Sequence, residues 1–408
     1  MLLITRSCIS GSNKKKMKER IEQQKRIFKY VLLVFAMVII IADACLIIQH
    51  KKVFSETENR MLQQFPKLTE ETLLSGRFMK QSEDFVADQF FLRDGWIAVK
   101  LKSDSIIGRQ TSNGVILGKE GFLIEDSAAP IEASFEKNLS AIRSFAAAHP
   151  DISIVMSVAP NAVSVCDQLL PANIPVRDQN QDLDAVKDAL SSSLTYVDLR
   201  DALSAHKEEY IYYKSDHHWT SLGAKYAFEE LAKSLVTEEM TTDIGVADPM
   251  QFLKQYTVTE DFSGTMASTS GAFSVKDPID IYVYEMDEFQ YVVEYTDEQR
   301  KSATVFNSAA LEQKNKYEVF LGGNHPQINI KTTNLNKKSL LIFKDSYANA
   351  LIQFLLPYYQ TITIVDPRYY SDDIEKLLSD AQITDVLFLY NMNTFAEDNS
   401  LAGVLIDE

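Results

Sequence analysis

Leu340-Leu341-Ile342-Phe343-Lys344-Asp345-Ser346-Tyr347-Ala348-Asn349 is the stretch whose reading decides the fold. Residues 340–343 are apolar without a break, which predicts a strand covered on both faces, as in a parallel sheet. Asp345-Ser346 ends the run, and a helical pattern follows over 347–356. The alternation continues outward. Upstream, the pattern predicts helices at 133–148, 181–193 and 201–206, and strands at 152–158, 194–199 and 210–213. Downstream it predicts strands at 361–365 and 386–390, with a helix at 372–378 between them. Alternation of this kind gives an α/β fold, a parallel sheet flanked by helices. Between about 236 and 338 it breaks into short alternating runs rich in Thr, Ser, Asp, Gly and Tyr, with a strong turn at Gly322-Gly323-Asn324-His325-Pro326. This region reads as a β-rich insertion that covers or borders the site. Val155, Val158, Phe228, Leu231, Leu341, Ile342, Ile364, Val386 and Leu387 are the expected core.

Active residues in such sheets lie beyond the carboxyl ends of the strands, and Ser346, Asp366 and Asn391 fall there. The partner stretch for Ser346 is Lys214-Ser215-Asp216-His217-His218-Trp219-Thr220. On an extended backbone, residues two apart share a face, so Asp216 and His218 project together while His217 points away. A carboxylate that orients an imidazole is what a serine nucleophile needs, and the pattern predicts serine-type acyl transfer by Ser346, His218 and Asp216. Helix-start amides after Ser346 would cradle the oxyanion. Thr220 caps a helix whose apolar face is Ala227, Phe228, Leu231 and Leu235.

Each of these residues also has a plain structural reading. Asp345 or Ser346 suits a helix N-cap, and Asp216 with His218 suits a buried polar pair holding a loop. Adjacent histidines beside a carboxylate suggest zinc, but zinc takes three or four protein ligands and no further cluster stands out, so no metal or cofactor is expected. His217 is assigned a structural or substrate-contacting role. Trp219 reads as a packing wall, with sugar stacking as the alternative.

The charge is unevenly spread over the 408 residues. Residues 1–29 hold nine basic and two acidic side chains, a net +7, while the rest holds 32 basic and 55 acidic, a net −23. So acidic a body excludes nucleic acid as a partner. Residues 31–42 are uninterruptedly apolar, and the run resumes after Asp43 to Ile48, about eighteen residues in all and the lower end of a membrane span. The basic head then stays cytoplasmic and the body is exported. A signal peptide cut near Ala42-Asp43-Ala44, or a lipoprotein at Cys45, is the alternative. Cys8 falls inside and Cys45 in or near the membrane. Cys166 is then the single thiol outside, without an intrachain disulfide. Division follows as basic segment 1–29, anchor 30–49, connecting region 50–117 and body 118–408. In the connecting region Phe85, Phe90 and Phe91 predict a helix packed by its aromatic face, and 115–117 a short strand in a hairpin.

Asp216-His217-His218-Trp219 followed by Thr220-Ser221-Leu222-Gly223-Ala224, with Lys344-Asp345-Ser346-Tyr347-Ala348-Asn349 later, resembles the DHHW family of bacterial surface proteins. It also resembles the SGNH-hydrolase-like domain of alginate O-acetylation enzymes of the AlgX and AlgJ type, where an Asp-x-His-Trp segment precedes the serine block. Segments 55–60, 88–93 and 113–123 are similar to the DHHW family too. The resemblance implies an SGNH-like fold and a Ser346, His218, Asp216 triad. It further implies polysaccharide O-acetylation beside a membrane-bound O-acyltransferase that supplies acetyl groups. Lys344 departs from the usual Gly of the serine block, reducing backbone freedom there. For the oxyanion-hole Asn the candidates are Asn391, then Asn161 and Asn349. Arg368 either holds a substrate carboxylate or carbonyl or makes a surface ion pair. An esterase or deacetylase would use the same residues with water as acceptor, and a non-catalytic polysaccharide-binding or assembly protein is the third reading.

Overall fold

The structure, a computed structural model, describes residues 11–406. Arg6 and Cys8 lie outside the described residues. The chain divides into two compact units, one of residues up to Glu56 with Arg60–Ile97, the other of Thr57–Asn59 with everything from Ala98 on. In the first, Gly11–Ile48 is a single helix of 38 residues. Its stretch Lys16–Ile48 is long and apolar enough to cross a membrane, and none of its most apolar window is buried. Later in this unit Asp88 accepts from both guanidinium nitrogens of Arg60 (2.5 and 3.0 Å) and from the Gln63 N–H (2.8 Å). Phe85 is buried on helix Arg77–Asp88, its ring edge-on to Phe65 at 5.4 Å. Phe90 and Phe91 do not continue that face. They lie beyond the helix end and are exposed.

The second unit is built on one eight-stranded sheet. In chain order its strands are β1 Ser153–Ala159, β2 Thr195–Tyr196, β3 Tyr291–Tyr295 and β4 Arg300–Ser302, then β5 Gln327–Thr332, β6 Ser339–Lys344, β7 Thr361–Val365 and β8 Asp385–Asn391. They lie side by side as β4-β3-β5-β7-β6-β8-β1-β2. The five from β7 to β2 are parallel, and β5, β3 and β4 extend the sheet antiparallel. Every residue of β6 and β8 is buried. Alternate side chains feed two cores: Leu340, Ile342, Leu387 and Leu389 on one face, Leu341, Phe343, Val386 and Phe388 on the other. Burial of each such side chain contributes about 1.5–3 kcal/mol, which is why these apolar runs become central strands. All nine expected core residues are buried. Helix Ser221–Leu235 covers one face, capped by the Thr220 hydroxyl, and helices Glu132–Ala148 and Asn180–Leu190 cover the other. Residues 98–117 fold within this same unit, and Val115–Leu117 pairs with both Thr111–Ser112 and Leu123–Glu125.

The β-rich region at 236–338 is more than a cover. Its strands β3, β4 and β5 complete the sheet, while Leu253–Phe262 and Asp277–Tyr284 pair as a separate ribbon. Residues 210–213 are not a strand, since Tyr212 makes only an isolated bridge to Trp219. The run at 194–199 shortens to β2, an edge strand paired on one side only. Residues 347–356 form a 3₁₀ turn Ser346–Ala350, a helix Ile352–Leu355 and another 3₁₀ turn Leu356–Tyr358. Pro357 has no N–H to give the Gln353 carbonyl, so the short helix ends at Leu355.

Candidate active site

Residues 211–220 close on themselves: the Tyr213 N–H donates to the His218 carbonyl (3.2 Å) and the Thr220 N–H to the Ile211 carbonyl (2.9 Å). Asp216 and His218 therefore meet across a tight turn rather than along an extended strand. Asp216 Oδ1 accepts from the His218 backbone N–H (3.1 Å) and lies 2.5 Å from His218 Nδ1. Asp216 Oδ2 accepts from the Thr265 N–H (2.8 Å). Gly264 allows that approach, since a Cβ there would sit 2.3 Å from Asp216 Oδ2. Buried Asp277 fixes the turn, accepting from the N–H groups of Lys214 (3.0 Å) and Ser215 (2.7 Å) and from the hydroxyls of Ser215 and Tyr210.

On the far side, His218 Nε2 lies 2.8 Å from Ser346 Oγ. Ser346 is half-buried just past the carboxyl end of β6. An unbroken hydrogen-bonded line thus runs from Asp216 through His218 to Ser346. Asp345 is the N-cap of the turn that follows, its Oδ1 accepting from the Tyr347 N–H (2.9 Å) and its Oδ2 from the Asn391 N–H (2.8 Å). The Tyr347 amide is thereby committed, and the short 3₁₀ turn carries little of the dipole expected of a helix start. Tyr317 lies flat on the His218 ring at 3.9 Å and donates its hydroxyl to the Ser346 carbonyl (3.1 Å). Burial works to raise the Asp216 pKa, but the imidazoles of His217 and His218 and the Thr265 N–H hold it well below the usual carboxylate range. A carboxylate so held stays ionised, the state in which it can steady an imidazolium.

His217 does not point away. Its ring lies against that of His218 at 4.0 Å, and burial followed by the neighbouring imidazole lowers its pKa, although 26% of the side chain is exposed. Ligand atoms of Asp216, His217 and His218 come within 4.8 Å of one another. Both His218 nitrogens are already engaged, so this group falls short of a zinc set. Trp219 is fully buried and donates to the Tyr347 carbonyl (2.9 Å), which rules out sugar stacking and makes it a packing wall. Arg368 makes an ion pair, though not a surface one: it donates twice to Asp366 (2.8 and 2.6 Å), whose carboxylate is fully buried. Asn161 donates to Asn391 (3.3 Å), and both sit in a buried amide cluster with Gln179 and Asn393. Asn349 donates to Asn324 Oδ1 (3.2 Å). Lys344 is the last residue of β6 and has no positive φ, so the position needs no glycine. Its fully buried ammonium donates to Asn324 Oδ1 (2.9 Å) and pairs with Asp366 (3.2 Å). Tyr317, Asp277, Gly264 and Asn324 escaped the sequence reading. Only Asn324 stood in a visible signal, the Gly-Gly-Asn turn.

A profile of the family described as SGNH hydrolase-like domain, acetyltransferase AlgX, matches residues 115–324, just over half of the chain. The chain belongs to this family. The match takes in Asp216 and His218 and ends before Ser346, so the serine half of the site rests on the geometry above. A probable alginate O-acetylase AlgJ of Pseudomonas syringae pv. tomato is 23% identical over 51% of this chain and 54% of its own length. The chain thus spans about half the length of that relative. Among solved structures, a DHHW family protein from Eubacterium siraeum superposes with a TM-score of 0.61 at 24% identity, covering 73% of this chain and 98% of that one. Bacillus cereus PatB1, solved with a sulfonyl adduct, gives 0.57 at 17% identity over 70% of this chain and 98% of that one. At such identities the likeness is one of fold: SGNH-like α/β.

Proposed function

We propose that the chain is a membrane-anchored, extracytoplasmic serine O-acyltransferase that acetylates a cell-envelope or secreted polysaccharide. The line from Asp216 through His218 to Ser346 carries this reading. His218 Nε2 takes the Ser346 proton as Oγ attacks the acyl carbon of a donor ester, and Asp216 steadies the imidazolium. The donor's C–O bond breaks, and its oxygen leaves with the proton from His218. A sugar hydroxyl then attacks the acetyl-serine, passing its proton to His218. The new sugar ester departs as the proton returns to Ser346. Family membership and the O-acetylase among the relatives favour a polysaccharide hydroxyl as acceptor. Helix Gly11–Ile48 with its basic start serves as the anchor, which sets the body outside. A membrane-bound O-acyltransferase beside it is the proposed acetyl source.

The test uses the full chain in detergent with an activated acetyl ester. Acetate release, abolished in Ser346→Ala and His218→Ala, is the expected result. Adding an oligosaccharide and finding acetyl esters on it by mass spectrometry separates transfer from hydrolysis. A folded wild-type chain that does neither refutes the proposal.

A further inference from the structure

The steps above leave unused the exposed run Phe90-Phe91-Leu92, which lies in the first unit at the exit of the long N-terminal helix. Gln49 continues that helix, its N–H donating to the Cys45 carbonyl (3.0 Å), and its side-chain amide donates to the Gln89 carbonyl. Buried Gln89 in turn grips the chain just past the helix. Its Oε1 accepts from the Lys52 N–H (3.1 Å), and its NH₂ donates to the Lys52 carbonyl (2.8 Å). Phe90, Phe91 and Leu92 follow at once, no more than about 11 Å along the chain from Gln89. One cleft is lined by Gln49 and His50 together with all three of them.

The protein's own packing makes little use of these side chains. Leu92 is 67% exposed and holds φ 54°, a left-handed conformation in which Asn or Gly is at ease and a leucine is strained. Trp96, one helical turn further on, is 58% exposed. Its backbone N–H donates to the Leu92 carbonyl (3.1 Å), and its ring lies edge-on to that of Phe90 at 6.4 Å. Phe90, Leu92 and Trp96 thus form one open patch. The apolar stretch 31–48 of the helix is about 27 Å long at 1.5 Å per residue, a few ångströms short of a hydrocarbon core of about 30 Å. Its far end is therefore held at the outer edge of the hydrocarbon, and the patch tied to Gln49 is held there with it. Aromatic side chains favour that level of a bilayer, and exposed Lys52 beside them suits anionic headgroups. Resting on the anchor in the reading above, we infer that Phe90, Leu92 and Trp96 seat in the outer leaflet. The lipid surface then holds the first unit in addition to the span itself.

The chain has two tryptophans, Trp96 and the fully buried Trp219, so fluorescence reads this patch directly. The test reconstitutes the full chain into vesicles of phosphatidylcholine and phosphatidylglycerol, with and without bromine on the acyl chains. Flotation with the vesicles checks the anchor. The Trp96 emission is the part that Trp96→Phe removes. Contact with the acyl chains should let bromine quench at least about half of it, while acrylamide in the water reaches it hardly more than Trp219. Leu92→Asn should melt no lower than wild type, since Asn suits that φ, and should float as well, yet lose part of the bromine quenching. A chain that fails to float removes the anchor and this inference together. A chain that floats while bromine leaves Trp96 untouched overturns the inference and leaves the anchor standing. In that case quenching by acrylamide shows the patch open to water, and its absence shows another protein surface covering it.

Discussion

Replacing Gly264 by Ala is the sharpest probe of how the site is held. The backbone there has φ −83° and ψ −164°, open to any residue, so the substitution carries no conformational penalty. The obstacle is space. The new Cβ would lie 2.4 Å from Asp216 Cβ and 2.7 Å from its Cγ. Carbon atoms rest about 3.5–4.0 Å apart, so Asp216 or the 264 backbone must move by roughly 1 Å. Rotating the carboxylate does not help, because the closest carbon is the aspartate's own Cβ. Overpacking of this kind costs about 1–3 kcal/mol of stability, a fall of a few degrees in melting temperature. A displacement of about 1 Å in a catalytic group costs on the order of 100-fold in rate, or about 2.7 kcal/mol of barrier. Gly403→Ala is the control: Gly403 is exposed on helix Ser400–Leu405, with nothing within 4 Å of the added carbon, and the change should leave kcat unchanged. The assay pairs thermal melts with kcat on the activated ester. Wild-type melting and wild-type kcat in Gly264→Ala would refute the claim that close packing on Asp216 sets the imidazole.

Asp216→Asn, which keeps the shape but loses the charge, should lower kcat by about 10⁴ with the fold retained, read by ester hydrolysis alongside circular dichroism. Trp219→Phe should destabilise by about 1–3 kcal/mol in denaturant titration, since it strips the Tyr347 carbonyl of its donor inside the core. Asn138→Ala should cost a similar amount for the same reason. Its buried amide donates to the Asp398 carbonyl (2.6 Å) and accepts from the Ala402 N–H (3.2 Å), which ties helix Glu132–Ala148 to the chain's end. Asp198 supplies a pH test: burial opposes its ionisation, but Arg200 and Lys187 bring its pKa from 3.8 down to about 2. A depressed carboxylate stabilises the fold above its unfolded value and loses that contribution as pH falls through the folded one. The melting temperature of Asp198→Asn should therefore converge on wild type between about pH 4 and pH 2. A gap that persists below about pH 2 would count against the pairing.

The strands of the parallel sheet were legible because each is a local apolar run, and burial on both faces demands such runs wherever they fold. The Thr220 cap and the face of helix Ser221–Leu235 were legible for the same reason, as neighbours in sequence are neighbours in a helix. Identifying Ser346, His218 and Asp216 needed two short motifs, each meaningful only beside the other. Hidden were the features that depend on what approaches from elsewhere in the chain. His217 was expected to point away because an extended backbone was assumed, whereas the turn pinned by Asp277 folds its ring onto His218. Asn391 and Asn161 stood at strand ends as expected, yet both are drawn into a buried amide cluster in which Asn161 donates to Asn391 and Asn391 to the Ala159 carbonyl. Lys344 looked like a defect at a glycine position, and only Asp366 beyond the end of β7 and the loop at 322–326 give its ammonium partners. By itself the sequence determined the α/β sheet, its core and the three residues in line. Tertiary structure alone decided which polar groups are free to act, because a hydrogen bond is spent or spare only once its partner has been brought to it.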